Sequence, residues 1–150
     1  MNEKLKQLKA LMDEIGHSHA VIGIIGKDTH TDKETGKTID MASLAIVHEF
    51  GSDDGHIPER SFLRSSLVEN KETYKKQLAF FLRQALRGGI SHLDVLDKLG
   101  AVAAGGAQNK ILNGPFKPLK EITIKRKGSS KPLIDTGQLL QSITWDVKHD

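Results

Sequence analysis

The sequence predicts a single α+β domain that spans residues 1–150. Two long stretches with helical apolar spacing occupy the middle of the chain, and a short β-branched segment lies near each end. A chain of 150 residues suffices for one domain with a core but is short for two. We therefore expect a small, mostly antiparallel sheet packed against two long helices, with long mobile loops. Its strands are 19–26 and 143–148, with a further strand as an option within 30–40.

The first fifty residues predict a helix, a strand, a loop and a second helix. Leu5, Leu8, Met12 and Ile15 recur at helical spacing from residue 3, and Gly16 can end that helix. The segment 19–26 is short, β-branched and ends in glycine, which is typical of a buried strand. Residues 27–40 are polar and predict a mobile loop or hairpin tip. The apolar segment 41–51 favours a short helix.

The middle of the chain predicts two long helices. The first starts at Ser61, which can cap it, and ends at the glycines 88–89. The second runs from Ser91 or His92 to about Leu112. Their buried faces are expected at Leu67, Tyr74, Leu78, Phe81 and Ala85, and at Leu96, Leu99, Ala103, Ala107 and Ile111. Gly100, Gly105 and Gly106 lower the helix propensity of the second helix, which indicates that another backbone comes close there.

Composition excludes several classes of protein. Hydrophobic residues make up 37% of the chain and charged residues 27%, so the composition is that of a folded protein and not of a membrane protein. The chain has no cysteine, which excludes disulfides and thiolate zinc sites. The charged N-terminal segment lacks the apolar centre of an export signal. A net charge of +3 is too small to predict nucleic-acid binding by itself.

The segment HEFGSDDGH, residues 48–56, offers histidines and carboxylates but no recognised metal-ligand spacing. A helical zinc site requires a second histidine four residues after His48, and that position is Ser52. The acids Asp53 and Asp54 do not follow the spacing of a calcium loop. We interpret the segment as a helix end followed by a solvated loop, and we expect no metal and no cofactor.

The segment LIDTG, residues 133–137, leaves an enzymatic alternative open. Aspartic proteases present their catalytic carboxylate in an Asp-Thr-Gly turn on a β scaffold. Here QLLQSI continues with helical spacing, so Asp135, Thr136 and Gly137 are better explained as a structural helix cap. The cap is our prediction, and a dimeric Asp-Thr-Gly protease remains the alternative.

A basic stretch, residues 117–131, leaves a second alternative open. It contains six cations but no interleaved aromatic residues, so it is not a stacking platform for single strands. Lys125, Arg126 and Lys127 can face an acidic protein surface or packaged DNA. A basic nucleic-acid-binding protein is therefore the other alternative, and we expect this stretch and the loop 27–41 to order only on assembly.

Two segments in order resemble one family. LAIVHEFG…IPERSFLRSS at 44–66 and PLKEITIKRKGSSKPLIDTGQLLQSITWDV at 118–147 are similar to the tailed-bacteriophage virion morphogenesis proteins, also called tail-completion or head–tail joining (neck) proteins. The family usually has proline where Ser61 stands, and serine can start a helix by capping it instead.

The resemblance implies a structural protein rather than an enzyme. Such proteins assemble in the host bacterial cytoplasm, complete the tail or neck, and remain in the virion as rings that are commonly six-fold. The implied partners are further copies of the chain, head-connector proteins and tail-tube or tail-terminator proteins, with contact to packaged DNA as an option and no membrane.

From this role we infer, for individual residues, which groups lie at subunit boundaries. Pro58 fixes a bend, Phe62 and Leu63 anchor a neighbour, and Glu59 and Arg60 pair across the boundary. Phe50 packs in a turn that Gly51 bends. The interface candidates are His48, Glu49, Phe50, Pro58, Glu59, Arg60, Phe62, Leu63, Arg64, Lys125, Arg126 and Lys127.

Overall fold

A computed structural model describes residues 2–31, 35–114 and 137–150. The described chain folds as a small single-domain α+β protein, which confirms the predicted fold class. Its elements, in chain order, are α1 (Glu3–Gly16), β1 (Ser18–Ile24), β2 (Thr29–Thr31), β3 (Thr38–Asp40), α2 (Met41–Phe50), α3 (Leu63–Glu69), α4 (Lys71–Leu86), α5 (His92–Asn113), α6 (Gln138–Ser142) and β4 (Ile143–His149).

The main sheet joins the two ends of the chain. Strands β1 and β4 pair antiparallel, with Ser18 opposite His149 at one end and Ile24 opposite Ile143 at the other. The strands β2 and β3 form their own antiparallel hairpin, with Thr29 opposite Asp40. In the described part of the chain the 30–40 region therefore pairs with itself and adds no strand to the main sheet.

Helix α5 lies at the centre of the molecule. It contacts both strands of the main sheet as well as α1, α3 and α4. A capping box starts this helix, since the Ser91 hydroxyl accepts the Asp94 N–H and the Asp94 carboxylate accepts the Ser91 N–H. The core cluster consists of Met41, Ala45, Phe62, Ala104, Ala107, Ile111, Leu139 and Ile143.

The helix predicted from Ser61 is divided into two. Asn70 separates α3 from α4, and its side chain donates to the carbonyl oxygen of Ser66 at 2.8 Å. A side chain that bonds the backbone of the preceding turn competes with continuation of the helix. The predicted long helix is therefore a short helix followed by a long one.

The α5 glycines are close to side chains rather than to another backbone. A Cβ on Gly100 would lie 2.7 Å from Trp145 Cδ1, and one on Gly106 would clash with the Tyr74 hydroxyl. Gly105 has open space around it. A close approach is thus present at Gly100 and Gly106, but the rings of Trp145 and Tyr74 make it, and not the backbone that the sequence predicted.

Candidate protein-docking site

The side chain of Glu49 links the end of α2 to the start of α3. Glu49 is 5% exposed, and its Oε2 accepts the backbone N–H groups of Phe62 and Leu63, each at 3.0 Å. Its Oε1 accepts the N–H of Arg64 at 3.0 Å and the hydroxyl of Ser61 at 2.7 Å. Helix α3 has no side-chain cap at its own cap residue, Phe62. Glu49 therefore caps α3 from 13 residues upstream in the chain.

Arg64 completes this link from the outside. Its Nε donates to Glu49 Oε1 at 2.8 Å, and its Nη2 donates to Glu59 Oε1 at 2.9 Å and to the Glu49 carbonyl at 3.1 Å. Its guanidinium lies 4.1 Å from the ring centroid of Phe50. A charged, hydrogen-bonded carboxylate and guanidinium thus fix the geometry of two helix ends.

The link changes the acidity of both groups. Burial raises the pKa of Glu49, but the hydrogen bonds from the Leu63 N–H, the Ser61 hydroxyl and Arg64 outweigh burial and hold the pKa below its usual value. The hydrogen bonds to Glu49 and Glu59 raise the pKa of Arg64. Glu49 is therefore ionised at neutral pH and acts as a hydrogen-bond acceptor for the start of α3.

The loop between the two helices is tight. Gly51 has a φ of 79°, and a Cβ there would lie 2.9 Å from both Glu59 N and the Ile57 carbonyl oxygen. The Ser52 N–H donates to the Ile57 carbonyl at 2.8 Å, and the Arg60 N–H donates to the His48 carbonyl at 2.8 Å. The predicted bend at Gly51 is confirmed, and only glycine fits this position without strain.

An open apolar pocket adjoins this link. It has a volume of about 370 Å³ and is lined by β1, α2 and residues 62–64. Three large apolar side chains on its rim are exposed: Ile25 at 45%, Ile46 at 59% and Phe50 at 57%. Contiguous exposed apolar surface beside a pocket is typical of a protein-docking site. We call Ile25, Ile46, Phe50 and the pocket the apolar rim surface.

The interface candidates divide into an exposed set and a buried set. The side chains of Phe50, Glu59 and Arg64 are exposed. Glu49, Arg60 and Phe62 are buried at 5%, 6% and 1%, while His48, Pro58 and Leu63 are partly buried.

This placement differs from the expected roles of four residues. Phe62 belongs to the core of its own subunit, so its ring is not at the surface for a neighbour. Arg60 is buried, and Glu59 pairs with Arg64 of the same chain. Phe50, which was expected to pack in the turn, is exposed.

Several predicted residues lie outside the described ranges. These are Lys125, Arg126 and Lys127 of the basic stretch, and Asp135 and Thr136 of the predicted cap. Gly137 is described and directly precedes α6, with a φ of 70°.

Sequence reasoning missed Ile25 and Ile46 of the rim. A signal was available for Ile46, because α2 is apolar over most of its circumference, and such a helix is either buried on all sides or has an exposed apolar face.

The described residues contain few other features that suggest chemistry. Within residues 2–31, 35–114 and 137–150, no three His, Cys, Asp or Glu side chains are grouped to hold a metal ion. None of the described helices combines the length and the apolar character needed to cross a membrane. The chain matches no protein-family model, no curated protein sequence and no solved structure with which it was compared.

Proposed function

We propose that this protein is a structural subunit of a tailed-phage neck, which completes the tail or joins head to tail as part of a ring. The observation that carries the proposal is the assembly of the HEFG and IPERSFLR residues into one unit. Glu49 and Arg64 fix that unit, and Ile46 and Phe50 on it form an exposed apolar rim. A rigid, exposed apolar surface next to a pocket suits a permanent contact with another protein.

The apolar rim surface is the docking site for the adjoining neck protein, a head-connector or tail-tube component. Exposed Ile and Phe side chains gain free energy when a partner covers them, and the pocket beside them offers room for an anchoring side chain. Arg64 and Glu59, at the edge of this surface, supply the charged border that is common in protein interfaces.

The chemistry of Glu49 supports a structural role over a catalytic one. Its two carboxylate oxygens accept five hydrogen bonds from Ser61, Phe62, Leu63 and Arg64. A carboxylate with its acceptor sites occupied in this way has little capacity to exchange a proton with a substrate. The protease and nucleic-acid alternatives depend on Asp135 and on the stretch 117–131, which lie outside the described residues.

The test is deletion of the coding sequence in the phage that carries it. Electron microscopy of the lysate should show DNA-filled heads and separate tails, and the wild-type protein supplied in trans should restore joined particles. A lysate in which the deleted phage joins heads to tails at the normal frequency would overturn the proposal.

Variants of the rim test the docking site. Ile46→Glu and Phe50→Glu should fold but fail to restore infectivity, because each places a charge on the apolar rim surface. The matched control is Val68→Glu, since Val68 is 74% exposed and does not line the pocket. Equal complementation by the three variants would contradict the assignment of this surface.

A further inference from the structure

The outer face of α4 carries a basic stripe with an aromatic ring at its centre. Lys76, Phe80, Arg83 and Arg87 follow one another at spacings of three or four residues, so they lie on one side of the helix, and all four are exposed. Phe80 is 50% exposed. Among the described residues no carboxylate forms an ion pair with the three cations. We call these four residues the cationic stripe.

A second surface has the complementary character. A groove of about 410 Å³ lies between the first turns of α5 and strand β4. Leu93, which is 42% exposed, and the partly buried Trp145 and Val147 form its apolar lining. Three aspartates, Asp94, Asp97 and Asp146, and His149 also line it, and all four residues are exposed. Of these, Asp146 pairs with Lys148 at 3.2 Å. We call this surface the acidic groove.

The stripe and the groove lie on opposite sides of α5. Gly106 of α5 is against Tyr74, on the inner face of α4, whereas Asp97 accepts the indole N–H of Trp145 of β4 at 2.9 Å. Asp97 and Gly106 are nine positions apart, about two and a half helical turns, so they point in opposite directions. The stripe lies on the outer face of α4, on the side away from Tyr74 and Phe81.

We infer that the cationic stripe of one copy docks into the acidic groove of the next, with the Phe80 ring on the apolar lining and the cations along the carboxylate border. The charges are opposite, and the stripe and the groove are separate surfaces of one chain, which is what a head-to-tail contact requires. This inference rests on the proposed function in one respect, which is that the contact closes into a ring rather than an open filament.

Cysteine cross-linking tests the contact, because the chain contains no cysteine of its own. The double variant Gln84→Cys/His149→Cys places one thiol beside the stripe, one helical turn from Phe80, and one in the groove, and it keeps Phe80 and Leu93. Under mild oxidation it should give a ladder of covalent oligomers on a non-reducing gel, while each single variant gives at most a dimer. The control Val68→Cys/His149→Cys should give no ladder, since Val68 lies outside the stripe. Absence of a ladder at every concentration, both free and in assembled particles, would overturn the inference.

Charge reversal in the double-cysteine background provides the second arm. Arg83→Glu/Arg87→Glu should lose the ladder, and so should Asp97→Lys/Asp146→Lys. An equimolar mixture of the two should recover it, because each reversed stripe then meets a reversed groove and each native stripe meets a native groove. Lys71→Glu, a single charge reversal on α4 outside the stripe, should keep the ladder. Failure of the mixture to recover would count against the pairing of these two surfaces.

The outcomes separate this contact from the proposed function. If deletion of the gene leaves heads and tails apart but no ladder forms, the contact is wrong and the neck role stands. If the ladder forms but the deleted phage still joins heads to tails, the contact stands and the neck role is wrong.

Discussion

Replacement of Glu49 by glutamine is the sharpest test of the link between α2 and α3. The substitution keeps the size and shape of the side chain but exchanges one carboxylate oxygen for an amide that donates hydrogen bonds. Every group that contacts the two oxygens of Glu49 in the described structure is itself a donor. Whichever way the new amide turns, at least two of those donors lose their acceptor.

The expected loss of stability follows from those donors. An amide in place of Oε2 leaves the Phe62 and Leu63 N–H groups without an acceptor, and an amide in place of Oε1 leaves the Ser61 and Arg64 donors without one. A buried donor without an acceptor costs about 1–3 kcal/mol, and a lost helix cap about 1 kcal/mol. Because at least two such donors lose their acceptor, we expect Glu49→Gln to lower the free energy of unfolding by about 2–6 kcal/mol.

Urea unfolding followed by circular dichroism measures this loss. The midpoint should move to lower urea while the slope of the transition stays constant, because the surface exposed on unfolding is unchanged. The matched control is Glu72→Gln, since the Glu72 side chain is 77% exposed and pairs only with Lys75 among the described residues. The control should change stability by less than about 0.5 kcal/mol. Equal midpoints for the two variants would refute the capping role of Glu49.

Three further perturbations have defined outcomes. Because the folded pKa of Glu49 lies below its usual 4.5, its contribution is complete above that pH and is lost as the pH falls through the folded pKa, so the stability gap between wild type and Glu49→Gln should narrow below about pH 4.5 in unfolding titrations. Gly106→Ala should destabilise by about 1–3 kcal/mol through its clash with Tyr74, whereas Gly105→Ala should stabilise by about 0.5–1 kcal/mol; thermal unfolding of both variants checks the sign. Gly51→Ala should lower the melting temperature, since its φ of 79° is strained for alanine and its Cβ would meet backbone atoms; an unchanged melting temperature would contradict the tight loop.

Local patterns in the sequence predict most of the elements. The helical spacing of Leu5, Leu8 and Met12 predicts α1, and that of Leu96, Ala103 and Ala107 predicts α5, each to within a few residues. The break at Asn70 could not be read from periodicity, because the apolar spacing continues from α3 into α4. The break depends on the hydrogen bond from the Asn70 side chain to the carbonyl oxygen of Ser66, and the spacing of apolar residues does not reveal such a bond.

The candidate site was only partly predictable, for a reason that involves electrostatics. Glu49 stands in the last turn of α2, where a negative charge is unfavourable beside the helix carbonyls. A locally unfavourable charge on a buried residue indicates a distant partner, but the sequence does not say which one. The partner is the start of α3, where the same charge is favourable. The pairing is tertiary, so it required the fold.

The buried and the exposed residues around the Glu49 link differ in what they can contribute to binding specificity. Glu49, Gly51 and Phe62 are committed to internal contacts, so substitutions there change the fold before they change a contact with a partner. Ile25 and Ile46, by contrast, are available to a partner, because they are 45% and 59% exposed beside the pocket. A change of size or polarity at those two positions alters the surface offered to a partner while the Glu49 link remains intact. We therefore expect partner choice to depend on the rim residues, with the buried residues setting the shape on which the rim is displayed.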